Sequence, residues 1–172
     1  PKTFNIDVAK LKGLISSRTR AVMPVHLYGL PADMNEILEI ASKYNLKVIE
    51  DAAQAHLASI NKKSIGAFGD AAVFSFYPSK NMTCGEGGMV SFRELESAKK
   101  ARLLRNQGMD KKYENEIPGF NFRLTDIQAA LGVSQLRNLE TWTTKRQENA
   151  ELLGKNLSSI ESPYVPIGYE HV

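Results

Sequence analysis

The hydrophobic and polar positions of this chain follow helix-like and strand-like periods in alternation. Apolar residues recur with helical spacing at 6–15, where Asp7 is available near the start of the helix. Residues 20–26 have the pattern of a strand. Pro24 predicts that this strand lies at an edge, carries a bulge or ends there, because proline has no backbone N–H to donate.

A second helix is predicted after Asp33, which offers an N-cap, with Glu36 three residues later. The apolar face of this helix consists of Ile37, Leu38, Ile40, Ala41 and Tyr44. Further strands are predicted at 46–50, 71–76 and 88–92. The first of these strands ends at Asp51.

Helical spacing returns in the second half of the chain. Helices are predicted at 93–106, 125–138 and about 140–157, the last of them followed by Pro163 and Pro166. Thr125 and Gln128 have the spacing of a capping box at the start of the second of these helices. Strands that alternate with helices predict an α/β fold with a mainly parallel sheet flanked by helices. Because ligands bind at the carboxyl ends of such strands, we expect the chemistry just after residues 26, 50 and 76.

Composition narrows the class of protein. Lys plus Arg number 22 and Asp plus Glu 19, and the basic residues are spread out, which argues against a dedicated nucleic-acid-binding protein. Cys84 is the only cysteine, so an intrachain disulfide is excluded and a reducing, cytoplasmic setting is favoured. Neither a signal peptide nor an apolar run of membrane-spanning length is present, so we expect a soluble protein. The N-terminal and C-terminal ends of the sequence indicate that it is part of a longer protein.

Polar residues at the predicted strand ends are the candidates for chemistry. Asp51 stands where a buried strand ends, although a single carboxylate there is more often a helix cap or solvated. Gln54 points toward the same place if the chain turns helically after Asp51. A lone His56 is more often a hydrogen-bonded structural residue, and no second His or acidic residue has metal-ligand spacing with it, so no metal site is predicted.

A hydroxyl and an amine follow at the end of the next strand. Alternation places Phe74 and Phe76 on one face and Ser75 on the other, where its hydroxyl can bind an anion or bond to neighbouring backbone. Lys80 is presented by a turn that Pro78 stiffens. A lysine amine is suited to Schiff-base chemistry, but a single loop lysine is usually solvated, so only the combination of residues is informative.

Taken together, these motifs resemble a known family. They are Val25-His26-Leu27-Tyr28-Gly29, Glu50-Asp51-Ala52-Ala53-Gln54-Ala55-His56, Gly69-Asp70, Phe74-Ser75-Phe76-Tyr77-Pro78-Ser79-Lys80-Asn81, Gly85-Glu86-Gly87-Gly88 and 119–130. In this order and spacing they are similar to the sugar aminotransferases of the DegT/DnrJ/EryC1/StrS family, over nearly the whole chain. The resemblance implies a fold-type-I pyridoxal 5'-phosphate-dependent transferase that forms a homodimer with shared active sites. It also implies that residues 1–138 are part of the cofactor-binding large domain. Residues 139–172 are then a connecting helix and the start of a small C-terminal domain.

The resemblance assigns roles to individual residues. Lys80 would carry pyridoxal 5'-phosphate as a Schiff base and later move a proton, and Asp51 would pair with the pyridine nitrogen. Gln54 would hydrogen-bond the ring hydroxyl oxygen, and Ser75 would bind the cofactor phosphate. Asn121 would reach into the phosphate site of the neighbouring subunit. The implied reaction transfers an amino group, usually from L-glutamate, to a keto carbon of a nucleotide-diphosphate sugar.

Departures from the family pattern keep other interpretations open. Leu57 stands where the family usually has Gly, Gln107 where Asn-His-Gly is common, and Cys84 where Thr is frequent. These positions concern substrate contacts more than cofactor contacts. The family's N-terminal phosphate-binding turn, its stacking aromatic residue and most of its small domain are missing from these residues.

Three alternatives remain at this point. One is a sugar dehydratase of the family, although those relatives resemble it with His in place of Lys80. Another is a relative that acts on a cyclitol or an amino-aromatic precursor. The third belongs to a different class, a non-catalytic regulatory or scaffolding homologue or an inert fragment. The joint presence of Asp51, Gln54, Ser75 and Lys80 favours an enzyme.

Overall fold

The computed structural model of the chain describes residues 3–157 and 169–170. Its helices are α1 (Val8–Leu14), α2 (Met34–Lys43), α3 (Leu95–Arg105), α4 (Asp126–Leu136) and α5 (Leu139–Asn156), and a short 3-10 turn covers Leu27–Gly29. Its strands are β1 (Ala21–Val22), β2 (Lys47–Asp51), β3 (Ser59–Ile60), β4 (Lys63–Ser64), β5 (Ala71–Ser75), β6 (Gly88–Phe92) and β7 (Tyr169–Glu170). Among the helices of these residues, none is long and apolar enough to cross a membrane.

The larger sheet has four strands in the order β1-β2-β5-β6. β1 and β2 run parallel, as do β2 and β5, while β6 is antiparallel to β5. The predicted α/β fold with a mainly parallel sheet is therefore confirmed. In the register of β2 with β5, Asp51 lies opposite Val73, so both strands end at the same edge of the sheet. β4, β3 and β7 form a second, antiparallel sheet.

The main core lies between α1, α2 and the larger sheet. Its buried side chains include Val8, Leu11, Val22, Met34, Ile37, Ile40, Ala41, Val48 and Ala52. The face of α2 is as predicted except at Tyr44, which follows the helix and is exposed. Asp33 caps this helix as predicted, its Oδ1 accepting from the Glu36 backbone N–H at 3.3 Å.

The strand predicted at 20–26 is shorter than expected, because β1 ends at Val22. Pro24 cannot donate a ladder bond, but its carbonyl accepts from the Asp51 N–H at 2.9 Å. Beyond it, the His26 N–H donates to the Asp51 carbonyl at 3.0 Å. The proline thus interrupts the strand without separating the chain from β2.

Capping residues in the sequence predicted the start of α4 correctly. The shortest strands were not predicted. The capping box of α4 is present, with Thr125 Oγ1 accepting from the Gln128 N–H at 3.3 Å. The strands β3, β4 and β7 were not predicted, because two-residue strands carry too little periodicity. The loop predicted around Pro163 and Pro166 lies outside the described residues.

Candidate functional site

Asp51 and Ser75 end the adjacent parallel strands β2 and β5, so both stand at the same edge of the sheet. Asp51 is half-buried, and its Oδ1 accepts from the Ala53 N–H at 3.1 Å. The Ala52 N–H donates to the Val73 carbonyl at 2.9 Å, which ties the residue after Asp51 to β5. The carboxylate is therefore fixed where the sequence predicted chemistry.

Gln54 is held beside this edge by the turn at Leu27–Gly29. Its Oε1 accepts from the Tyr28 N–H at 2.7 Å, and Tyr28 adopts the left-handed conformation with φ 56°. Because this bond occupies the oxygen, the N–H groups of Nε2 are the donors that Gln54 can offer to a ligand. The amide orientation is thus set by a contact that no sequence pattern indicated.

Lys80 lies in the connection between β5 and β6, which we call the Lys80 loop (residues 76–87). The loop is closed at its base, where the Phe76 N–H donates to the Gly87 carbonyl at 2.8 Å and the Cys84 N–H donates to the Phe76 carbonyl at 3.0 Å. Gly87 is required there, because a Cβ would stand 2.6 Å from Cys84 Sγ. Lys80 is half-buried, and its N–H donates to the Tyr77 carbonyl at 3.0 Å.

Ser75 makes the local contact that its residue type allows. Its Oγ accepts from the Tyr77 N–H at 3.3 Å, which is the neighbouring-backbone bond considered from the sequence. A serine hydroxyl that accepts in this way keeps its own O–H to donate. Ser75 is half-buried and stands directly before the Lys80 loop.

His56 is buried behind β5, with its ring 5.6 Å from that of Phe74 and 6.0 Å from that of Phe76. Among the residues that the structure describes, neither ring nitrogen has a hydrogen-bond partner of normal geometry. The ring contacts with Phe74 and Phe76 make His56 a buried structural residue, as expected, although its hydrogen bonding is weaker than expected. Burial lowers the pKa of His56, the nearby Ser75 backbone opposes this, and the Lys80 charge lowers the pKa further.

Glu50 is a structural residue that sequence reasoning missed. Its fully buried carboxylate accepts from His26 Nε2 at 3.3 Å and from the N–H groups of Gly66, Phe68 and Gly69 at 2.9, 2.9 and 2.6 Å. A carboxylate inside an apolar strand was the available signal, because such a group must be fully hydrogen-bonded to remain buried. Glu50 therefore links β2 to the segment before β5.

Asn121 lies in a different segment from the other candidates. It is exposed and pairs with Asn106 in an isolated antiparallel bridge after α3. The backbone at Gly108 approaches the backbone at Ile117 very closely here. A Cβ on Gly108, which has φ 78°, would overlap the Ile117 carbonyl. The structure thus places Asp51 and Ser75 at the ends of adjacent strands, with Gln54 and Lys80 in the connections that follow them. The roles expected for these four residues and for Asn121 stay predictions.

The four residues at the edge offer a defined chemistry. Asp51 supplies a carboxylate, Gln54 an amide donor, Ser75 a hydroxyl and Lys80 a primary amine. A carboxylate can stabilise a protonated ring nitrogen, hydroxyl and amide N–H groups can bind oxygen atoms, and an amine can attack a carbonyl carbon. Within the described part of the chain, no group of three His, Cys, Asp or Glu side chains is placed to hold a metal ion.

Comparisons with known proteins identify the family of the chain. The profile of the DegT/DnrJ/EryC1/StrS aminotransferase family matches residues 1–170. The chain is 46% identical over 178 residues to GDP-perosamine synthase of Caulobacter vibrioides, with 100% of this chain and 48% of that protein covered. It is 48% identical over 164 residues to dTDP-3-amino-3,6-dideoxy-alpha-D-galactopyranose transaminase of Aneurinibacillus thermoaerophilus, with 95% and 44% covered.

A solved structure shows the same fold. S. venezuelae DesV in complex with a ketimine intermediate superposes with a TM-score of 0.94 at 39% identity, with 99% of this chain and 47% of that chain covered. The chain thus spans about half the length of the relatives that it matches.

Proposed function

Because the chain belongs to the DegT/DnrJ/EryC1/StrS aminotransferase family, we propose that the protein that carries it is a pyridoxal 5'-phosphate-dependent sugar aminotransferase. It moves an amino group, from L-glutamate, to a keto carbon of a nucleotide-linked sugar. The observation that carries the proposal is that Asp51 and Ser75 end adjacent parallel strands, with Gln54 and Lys80 in the connections that directly follow them. The sugar class is supported by the names of the two relatives, both of which refer to nucleotide-linked amino sugars.

The residues present fit pyridoxal 5'-phosphate. Asp51 would hold the proton on the ring nitrogen, and Gln54 Nε2 would donate to the ring hydroxyl oxygen. Ser75 Oγ would donate to the phosphate. Lys80 Nζ would form the covalent link to the aldehyde carbon. When bound, the cofactor supplies an electron-withdrawing ring that makes the neighbouring C–H bond of the substrate acidic.

The chain's own residues then have distinct tasks. As a free amine, Lys80 Nζ would take the proton from the substrate carbon that bears the amino group and return it to the carbon on the other side of the shared nitrogen. Asp51 would stand beside the ring nitrogen, where a fixed carboxylate in a half-buried site stabilises positive charge on the ring. The lysine at position 80 favours amino transfer over the dehydratase alternative, in which histidine stands at this position.

We also propose the assembly and setting that the resemblance implies. The protein forms a homodimer in the cytoplasm, and Asn121 of one subunit reaches the phosphate site of the other. The exposure of Asn121 supports this role, since its side chain is accessible. Residues 1–138 belong to the large domain, and residues 139–172 lead into a small C-terminal domain. The single cysteine supports a reducing compartment.

The proposal is tested by locating the lysine that bonds the cofactor. The whole protein is mixed with pyridoxal 5'-phosphate and reduced with borohydride, and the added mass is mapped by peptide mass spectrometry. We expect a pyridoxyl group on Lys80 in the wild type and none at position 80 in Lys80→Arg. Lys62→Arg is the control, a matched change at an exposed lysine, and should keep the pyridoxyl group on Lys80. An adduct scattered over surface lysines in the wild type contradicts the proposal.

A further inference from the structure

Helix α5 packs directly on the Lys80 loop. Leu139, its first residue, is buried in one cluster with Phe76, Met82 and Cys84 of that loop. Two turns further along α5, Arg146 Nη2 donates to the Asn81 carbonyl at 3.2 Å. Residues 139, 143 and 146 share one face of a helix because they are spaced by four and three positions. This face therefore covers the segment that carries Lys80.

Each of the two segments that this contact joins also contains one buried and unpaired polar group. Asn81 Nδ2 and Thr143 Oγ1 are both buried and have no hydrogen-bond partner among the described residues. Asn81 Nδ2 can only donate a hydrogen bond and Thr143 Oγ1 can accept one, so the two groups are complementary. Because an unpaired buried polar group is costly, a pairing between them is favoured once the Asn81 side chain turns toward α5.

The other contacts of the loop, besides the Lys80 N–H bond to the Tyr77 carbonyl, gather around Phe76 and Thr83. Helix α4 reaches it through Gln135, whose Oε1 accepts from the Thr83 N–H at 3.2 Å. On the opposite side, the His56 ring packs against Phe76 at the base of the loop. Asn81 directly follows Lys80, so the contacts of Asn81 with α5 act on the lysine's own peptide segment.

We propose that α5 positions the reactive lysine, with Arg146 holding the Asn81 carbonyl and Thr143 Oγ1 accepting from Asn81 Nδ2. Arg146 and Thr143 are positioning residues in this proposal, because they act through Asn81 and not on the reacting atoms. The inference rests on the proposed function, in which Lys80 is the reactive residue. It adds a consequence for the enzyme: the position of Lys80 depends on a helix that leads toward the C-terminal part of the chain.

The first test measures how firmly the loop is held. Hydrogen exchange of peptides that cover the Lys80 loop is followed by mass spectrometry in the whole protein with cofactor bound. Loss of a hydrogen bond to a charged donor in Arg146→Gln should make exchange in the loop about fivefold faster. Arg137→Gln, a matched change at an exposed arginine after α4, should leave the loop unchanged.

The second test addresses Thr143. Thr143→Val keeps the shape and removes the hydroxyl, whereas Thr143→Ser keeps the hydroxyl. If the hydroxyl pairs with Asn81, amide hydrogens of the Lys80 loop exchange faster in Thr143→Val than in the wild type. In Thr143→Ser they exchange at the wild-type rate. If loop exchange is unchanged in both Arg146→Gln and Thr143→Val, the proposal is overturned.

Kinetics separate positioning from general stability. In Arg146→Gln, we expect kcat to fall several-fold while KM for the amino donor stays within twofold, because the lysine is misplaced and the donor contacts are kept. An unchanged kcat overturns the proposal. Failure of the proposed function is recognised by a different measurement. In that case, borohydride reduction leaves no pyridoxyl group on Lys80 of the wild type, independently of the hydrogen-exchange result.

Discussion

His26 and Glu50 form a buried pair, in which His26 Nε2 donates to Glu50 Oε2 at 3.3 Å. His26 Nδ1 accepts from the Ala32 N–H at 3.0 Å, so the ring is neutral and carries its proton on Nε2. Glu50 directly precedes Asp51 in β2, and strand alternation turns their side chains to opposite faces. The pair therefore anchors, from the core side, the strand end that presents Asp51.

Replacing Glu50 by glutamine should destabilise the protein. In Glu50→Gln, an N–H group faces backbone N–H donors such as those of Phe68 and Gly69, which leaves buried donors unpaired. We expect a loss of about 3 kcal/mol in the free energy of unfolding, measured with urea. The exposed Glu39→Gln on α2 is the control, with a change of less than about 0.5 kcal/mol. Equal stability of the two variants contradicts this account.

The same carboxylate should produce an acid dependence of stability. Burial acts to raise the pKa of Glu50, but the hydrogen bonds from His26, Gly69 and Gly66 outweigh it, so the pKa lies below its usual 4.5. The lowered pKa contributes stability that is present above about pH 4.5 and lost as the pH falls through the folded-state value. The stability difference between the wild type and Glu50→Gln should therefore shrink in acid.

Asp51→Asn should impair catalysis without impairing the fold. The asparagine keeps an oxygen that accepts from the Ala53 N–H, but it removes the carboxylate that the proposed function assigns to the ring nitrogen of the cofactor. We expect kcat of the cofactor-loaded protein to fall by roughly 10²-fold or more. Asp110→Asn, at an exposed loop position, should keep the wild-type rate. Urea unfolding checks that both variants remain folded, and a wild-type rate in Asp51→Asn excludes the assigned role.

Leu57→Gly should stabilise the protein. Leu57 is exposed and adopts a left-handed conformation with φ 68°. Relief of the left-handed strain, about 1–2 kcal/mol, exceeds the entropy cost of glycine, so we expect a net gain of about 0.5–1 kcal/mol. Asn45→Gly, at φ 51°, is the control and should gain less, because asparagine tolerates this conformation. A loss of stability in Leu57→Gly indicates that its side chain is needed.

Tyr169 should ionise only in strong alkali. The pKa of Tyr169 is raised to about 12. Burial is the largest cause, followed by the charge of Asp33, a hydrogen bond to Asp33 and the charge of Glu36. Its contribution to stability is thus present below about pH 10 and lost as the pH rises through about 12. Asp33→Asn keeps a good helix cap and removes the charge, so phenolate should form at lower pH. Ultraviolet difference spectra against Tyr169→Phe measure this, and an unshifted titration contradicts the assignment.

Features set by neighbouring residues were predictable from the sequence. The caps at Asp33 and Thr125 depend on residues three positions away, and the meeting of Asp51 with Ser75 follows from a general rule for parallel strands. The partners of Glu50, the unpaired nitrogens of His56 and the contact of Arg146 with Asn81 depend on tertiary packing. Their sequence separations are long, and no periodic pattern records them.

The antiparallel pairing of β5 with β6 has a consequence for how the site assembles. Ser75 pairs with Gly88 across a short connection, whereas Asp51 meets Val73 only after a longer excursion of the chain and in a parallel arrangement. Closing a short loop costs less chain entropy, so a refolding chain is expected to form the turn that bears Lys80 before β2 is in register with β5. In the proposed function, the reactive amine would then be in place before the carboxylate of Asp51.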